Sequence, residues 1–271
     1  MKKIVLLISI FVLAISLVGC GGDTKKTEKP AAKEIKIGAT AGPHAQVVEA
    51  VAKEGKKQGL NIKVIEFSDY ITPDKALADG EIDLVSYQHK PFMENFNKQN
   101  KSDLVAIGRT ILMRMGIYSD KHKDLKNLPE SAVIAIPNDP TNGGRGLVLL
   151  EKAGLIKLKE GVGFKATAKD VVENPKKFQF KELEAAQLPR SLPDVDAAVI
   201  TMNYVMSGGL DVQKQGLFWE TKDEPLAVMI LAVKGKDKDN ATYLKIAELF
   251  HSEGVRKYIA DTFKGTIVPA E

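Results

Sequence analysis

Apolar and polar positions alternate along Ile35-Lys36-Ile37-Gly38-Ala39 as in a half-buried strand. From residue 44 to 57 the apolar positions take helical spacing, with Ala45, Val48 and Ala52 on one stripe and Val47 and Val51 beside it. Gly59 stops that helix, residues 61–67 alternate again, and residues 73–78 make a short helix closed by Gly80. Residues 83–87 form the third strand. The order βαβαβ predicts parallel strands joined by helical crossovers, an α/β sheet. A helix over 91–98 precedes a long apolar stretch, 104–118, interrupted by Arg109, Arg114 and Gly116; one long strand or two strands crossing between lobes both fit it. A second α/β set follows, with strands near 132–136, 178–183 and 197–202 and helices near 144–153 and 168–172. The apolar run 226–233 brings the chain back, and helices over 240–251 and 253–263 close it. No internal sequence repeat is visible, so element order alone divides the chain into a discontinuous first lobe, 35–109 plus 222–271, and a second lobe, 110–221.

Open α/β sheets take ligands at the carboxyl ends of their strands, which puts residues 40–44, 67–70, 87–89, 138–145 and 203–204 on a cleft between the lobes. The most chemical of these segments joins the strand Val133-Ile134-Ala135-Ile136 to an apolar helix. Pro137 and Pro140 disfavour helix just before them, Thr141 or Asn142 offers a cap, and the helix is expected to open at Gly143-Gly144-Arg145. Free N–H groups, the helix dipole and the Arg145 guanidinium would then suit a small anion. Alternatively, the helix is simply capped and Arg145 lies along the surface or pairs with a carboxylate of the protein. The segment lacks the spacing and the Lys-Ser/Thr pair of a Walker A loop. Tyr70, Tyr87 and His89 stand at strand ends with Phe67 and Phe92 nearby, and together they would wall a slot for an apolar or thioether side chain; core packing is the other role open to each. Asn142 and Asn203 carry both donors and acceptors, for an ammonium, a carboxylate or a helix cap.

The N-terminus sets the address. Lys2-Lys3 precede an apolar run, 4–18, about the length of a signal-peptide core, which ends in Leu17-Val18-Gly19-Cys20. This reads as a secretory signal over 1–19 with a lipoprotein processing site, leaving Cys20 lipidated and first in the mature chain. Cys20 is the only cysteine, which excludes disulfides and cysteine chemistry. Residues 20–34, rich in Lys, Thr, Gly and Ala, read as a flexible tether. Loss of Lys2 and Lys3 leaves 37 of 39 basic residues against 35 acidic ones, without the basic stripe a nucleic-acid binder needs. Neither H-E-x-x-H, G-x-S-x-G nor a nucleotide fingerprint is present, and the four histidines are scattered. Asp237-x-Asp239 with Glu248 echoes a calcium loop, but Thr242 occupies the place of the turn glycine. His44 and His89 would be the pair to meet as metal ligands.

With the lipobox, the βα order and Pro137-Asn-Asp-Pro-Thr-Asn-x-x-Arg145 assembled, the chain resembles the methionine-binding lipoproteins of the MetQ/NlpA family, receptors of methionine ABC importers. Phe67-Ser-Asp-Tyr70, Gln88-His-Lys-Pro91, Gly154-Leu-Ile-Lys-Leu-Lys159, Val171-Val-Glu-Asn-Pro175 and Gln187-Leu-Pro-Arg-Ser191 carry the likeness across nearly the whole mature chain. The resemblance implies an α/β, two-lobed periplasmic-binding-protein-like fold of type II that closes over one amino acid. Arg145 would grip the α-carboxylate and Asn142 and Asn203 the polar end, with Tyr70, Tyr87, His89 and Phe67 around the side chain. Tyr87 stands where relatives often have Phe, and Met202-Asn203-Tyr204 matches the second Asn segment only approximately. L-methionine is the first ligand implied, ahead of D-methionine, a sulfoxide or a methionine-containing dipeptide. An ABC permease and ATPase would be the partners and the lipid on Cys20 the membrane anchor on the extracytoplasmic side; no cofactor, metal or nucleic acid is implied. Two other classes compete: a secreted enzyme on a small amino-acid-like substrate, with Arg145 as anchor and His89 as acid/base, and a structural surface lipoprotein with no small ligand.

Overall fold

The computed structural model describes residues 33–271; the signal segment, Cys20 and most of the tether lie outside the described residues. The chain begins β1 (Glu34–Thr40), α1 (Pro43–Lys57), β2 (Asn61–Phe67), α2 (Thr72–Asp79), β3 (Leu84–His89), α3 (Lys90–Asn100) and β4 (Leu104–Leu112). The long apolar stretch then breaks at Met113-Arg114, and β5 (Met115–Tyr118) belongs to a different sheet, so two strands crossing between lobes is the arrangement adopted. There follow β6 (Val133–Pro137), α4 (Pro140–Lys152), β7 (Lys157–Leu158), β8 (Val171–Glu173), β9 (Gln179–Leu183), α5 (Leu188–Ser191), β10 (Ala197–Thr201), α6 (Met202–Ser207), α7 (Val212–Gln215) and β11 (Gly216–Trp219). The chain returns through β12 (Val228–Lys234) and ends in α8 (Ala241–Leu249), α9 (Glu253–Phe263) and β13 (Val268–Pro269). The helix expected over 168–172 is instead a single 3-10 turn, Ala168–Asp170, leading into β8. Asp170 closes that turn by accepting from the Thr167 N–H, and the β-branched pair Val171-Val172 then runs extended.

The two lobes are built to one plan. In the first sheet the order β2-β1-β3-β12-β4-β13 has β1 parallel to β2 and β3, and β12 antiparallel to β3 and β4. In the second, β9-β6-β10-β5-β11, β6 is parallel to β9 and β10, and β5 antiparallel to β10 and β11. Each sheet thus receives one antiparallel strand from the crossing chain, beside its third parallel strand. The same aspartate also recurs at the mouth of that third strand. Asp83 donates its N–H to the Lys36 carbonyl (2.9 Å) and takes the Lys36 N–H on Oδ2 (2.8 Å), and Asp196 does the same with Val133 at 2.9 and 2.8 Å.

α1 shows why the helices sit where they do: Val47, Val48 and Val51 are buried against the first sheet, while the Lys residues face water. β10 is buried at all five positions, as a central strand covered on both faces must be. At the cleft end of β3 the register with β12 slips between Ile230 and Leu231, a bulge that re-aims Tyr87, Gln88 and His89 where the lobes meet.

Candidate functional site

α4 starts three residues before the expected Gly143. Asp139 is its N-cap and Pro140 its first residue, the position where a missing N–H costs nothing. The Asp139 carboxylate accepts from the Asn142 N–H (2.8 Å), the Thr141 hydroxyl (3.0 Å) and Asn142 Nδ2 (3.1 and 3.2 Å). Neither Thr141 nor Asn142 is the cap, and the anion seat at the helix terminus is taken by the protein's own carboxylate. The glycines serve packing. A Cβ on Gly144 would lie 1.9 Å from the Phe164 carbonyl oxygen, and one on Gly143 2.7 Å from that of Pro137.

Arg145 therefore stands in the second turn of α4, buried, and already paired. Its Nε donates to Glu220 Oε1 at 2.7 Å, and its Nη2 to Glu220 Oε2 at 2.5 Å and to the Met113 carbonyl at 3.1 Å. Glu220 Oε2 also accepts the Met115 N–H at 2.7 Å. The guanidinium thus clamps both crossings, Met113–Met115 on one and Glu220 on the other. One fork of Arg145 is spent on the protein, and Nη1 alone has no acceptor among the described residues.

Arg145 borders a narrow cavity of about 20 Å³. Tyr70, Tyr87, Phe92, Met113 and Met229 form its apolar wall; His44, Gln88, His89, Asn142, Thr201 and Asn203 complete it. Tyr70 and Tyr87 lie 5.9 Å apart between ring centres, each with Phe92 edge-on at about 6 Å. Of the residues singled out in the sequence, Arg145, Asn142, Asn203, Tyr70, Tyr87 and His89 are all brought together here. Phe67 is not. It ends β2 and turns against Ile82 and Val85 over Gly38, in the core beneath the aromatic wall, and borders a separate surface groove with Ser68 and Tyr204. Met113 and Met229 were not singled out, although each lies in one of the two long apolar runs that cross between the lobes. Nothing local marks Glu220.

Hydrogen bonds across the cleft hold the lobes shut. The Tyr70 hydroxyl donates to Asn203 Oδ1 at 2.5 Å and shares a 2.8 Å bond with Thr201 Oγ1, while Tyr204 donates to the Ser68 carbonyl at 3.2 Å. His89 caps α3 by accepting the Phe92 N–H on Nδ1, so the neutral ring carries its proton on Nε2 and donates it to Asn142 Oδ1 at 3.1 Å. Burial, reinforced by Arg145, pushes the His89 pKa down to about 3, and burial alone does the same to His44. Both rings are neutral at physiological pH. His44 and His89 do share the cavity, but with both its nitrogens engaged His89 has no lone pair for a metal. Among the described residues no three His, Cys, Asp or Glu side chains stand together as a metal site, and Asp237, Asp239 and Glu248 form none.

Three buried polar atoms of the lining have no partner among the described residues: His44 Nδ1, Gln88 Oε1 and Asn203 Nδ2. Unpaired buried groups cost about 1–3 kcal/mol each, so a site that keeps three is built to be completed by a ligand. Arg145 Nη1 and Asn203 Nδ2 are donors for a carboxylate, and Gln88 Oε1 is an acceptor for an N–H.

Residues 35–271 match the family model described as NlpA lipoprotein. The chain is 42% identical to the D-methionine-binding lipoprotein MetQ of Escherichia coli O157:H7, over 94% of this chain and 93% of that one. Among solved structures it resembles a nutrient-binding protein from Burkholderia cenocepacia bound to methionine (TM-score 0.84, 44% identity, 88% of this chain and 100% of that one). It also resembles an ABC transporter periplasmic substrate-binding protein from Coxiella burnetii (TM-score 0.83, 38% identity, 87% and 100%). A match running from the first strand to the last residue, on a two-lobed α/β fold closed around a small cavity, makes this chain a member of the NlpA lipoprotein family.

Proposed function

We propose that the protein is an extracytoplasmic lipoprotein that binds one methionine between its lobes and delivers it to an ABC importer, with L-methionine as first ligand and D-methionine or a methionine derivative next. The observation that carries this reading is the cavity's mixed chemistry: aromatic rings and two thioethers in its wall, with the Arg145 guanidinium and the unpartnered Asn203 Nδ2 beside them. A methionine side chain gains about 0.3–1.5 kcal/mol from each sulfur–aromatic contact in such a slot, and its carboxylate meets the unused donors. The methionine and transporter functions in the relatives' names support the ligand and partner, and lipidation of Cys20 would tie the receptor to the membrane. Among the described residues no helix is long and apolar enough to cross a membrane.

The enzyme reading needs His89 as acid or base. Both its nitrogens are committed and burial holds its pKa near 3, so His89 carries no exchangeable charge at neutral pH. Receptor and enzyme separate in one assay: saturating methionine, at about 100 times Kd, should stabilise ligand-stripped protein by roughly 2.7 kcal/mol and be recovered unchanged. No shift with any methionine derivative, or consumption of the ligand, would overturn the proposal.

A further inference from the structure

Among the described residues Arg145 is the only charged one lining the cavity, yet the cavity is not a cationic site. Glu220 holds the Nε–Nη2 edge of the guanidinium through two bonds, at 2.7 and 2.5 Å, and both side chains are almost wholly buried. Glu220 stands just past β11, on the return crossing, where the Met115 N–H fixes its second oxygen. Two effects follow. The ligand's carboxylate meets Arg145 end-on through Nη1 instead of through a bidentate fork, and the +1 of Arg145 is matched by a −1 within hydrogen-bond distance. At low local dielectric such a pair presents a dipole to the cavity instead of a net positive field. Two further acidic side chains stand next to the lining: Asp139, answered by N–H and hydroxyl donors at the start of α4, and buried Asp74, which accepts from Gln88 Nε2 at 2.5 Å.

Resting on the methionine-receptor reading, we propose that Glu220 is a specificity-determining residue: by cancelling the charge of Arg145 and occupying one edge of it, Glu220 sets the site to take α-amino acids as neutral zwitterions and to refuse ligands of net charge. A site with a bare arginine would favour any small carboxylate. The charge-balanced site has no net attraction for an anion, and gains fully only from a ligand that carries its own counter-charge beside the carboxylate.

The test is calorimetry on detergent-solubilised full-length protein, wild type and Glu220→Gln, with methionine and with γ-methylthiobutanoate, which keeps the thioether and carboxylate but lacks the ammonium. The expected result is a large preference for methionine in wild type, narrowed about tenfold or more in Glu220→Gln, a change of about 1.4 kcal/mol in relative affinity. Glu220→Asp, which restores the charge, should restore most of the preference. A purely structural role predicts parallel losses for both ligands and an unchanged ratio, which would overturn the proposal. Should Glu220→Gln fail to fold, wild type still decides. A charge-balanced site penalises the cationic methionine amide and the anionic γ-methylthiobutanoate to a similar degree, whereas a clear preference for the anion over the amide contradicts it. Failure of wild type to bind methionine at all would instead overturn the functional reading.

Discussion

Tyr70→Phe removes one oxygen and tests whether closure and binding are a single event. That oxygen donates to Asn203 Oδ1 at 2.5 Å and shares a 2.8 Å bond with Thr201 Oγ1, so it ties the segment after β2 to the end of β10 and the start of α6. The ring loses nothing else: it keeps its contacts with Tyr87, Phe92 and Tyr204, and the Tyr70 carbonyl still accepts the Tyr87 hydroxyl. Two neutral hydrogen bonds are worth about 0.5–1.5 kcal/mol each, and the closed, liganded lobes would bury Asn203 Oδ1 without a partner, at a further cost of about 1 kcal/mol or more. With the lobes open, water serves both partners. The closed state should therefore lose roughly 2–3 kcal/mol relative to the open one, which weakens Kd by about 30- to 150-fold while the ligand-free melting temperature moves little. Calorimetry gives the first quantity and calorimetric melting of stripped protein the second. A Kd within about twofold of wild type would show that this contact does not hold the liganded state. A large fall in apo stability with unchanged affinity would make Tyr70 a core residue only.

Arg145→Ala should weaken methionine binding at least about tenfold through loss of a charge-assisted contact, and should also cost stability of about 3–5 kcal/mol, because Glu220 is left buried without its partner; affinity within twofold in the folded variant would remove Arg145 from the site. Asp74, fully buried on α2, has its pKa raised to about 7 by burial, against the hydrogen bond from Gln88 Nε2. Because the folded pKa exceeds the unfolded value of 3.8, its contribution is fully present below that value and is lost as pH rises through about 7, so Asp74→Asn should raise the melting temperature more at alkaline than at acidic pH; equal gains at both would refute the assignment. Gly144→Ala should lower stability by about 1–3 kcal/mol or more in a urea titration, since the new methyl meets backbone at Phe164; an unchanged midpoint would show that the 3-10 turn at Gly163–Lys165 yields freely. Cys20→Ala should release the protein from the membrane, and fatty-acid labelling that persisted in the variant would exclude Cys20 as the acceptor.

The strands and most long helices were legible because each buries one face, so the apolar period survives in the sequence: α1, β2, β12 and α9 lie within a residue or two of their patterns. The shared plan of the two sheets was not, because a fold repeat needs only matching burial, and unlike residues provide it equally well. One trace of it is written locally. Glu81-Ile82-Asp83-Leu84-Val85 and Asp194-Val195-Asp196-Ala197-Ala198 both place an aspartate between apolar residues where a third parallel strand begins, and both aspartates close their ladders in the same way. The start of α4 was placed too late, at Gly143-Gly144, because Thr141 or Asn142 was read as the cap, while Pro140 after Asp139 is the stronger sign of a capped helix. Positions after strands follow from topology, which is why Tyr87, His89 and Asn142, expected on the cleft, line the cavity. Glu220 has no such signal: it lies 75 positions from Arg145, and only the return crossing brings them together.

Native mass spectrometry of the detergent-solubilised protein, purified without added ligand and then titrated with L- and D-methionine, tests the central claim most directly. The account predicts one bound methionine per chain, carried through purification or taken up on titration, and released intact. A chain that remains ligand-free through both titrations, or that retains a molecule without a thioether side chain, would contradict it.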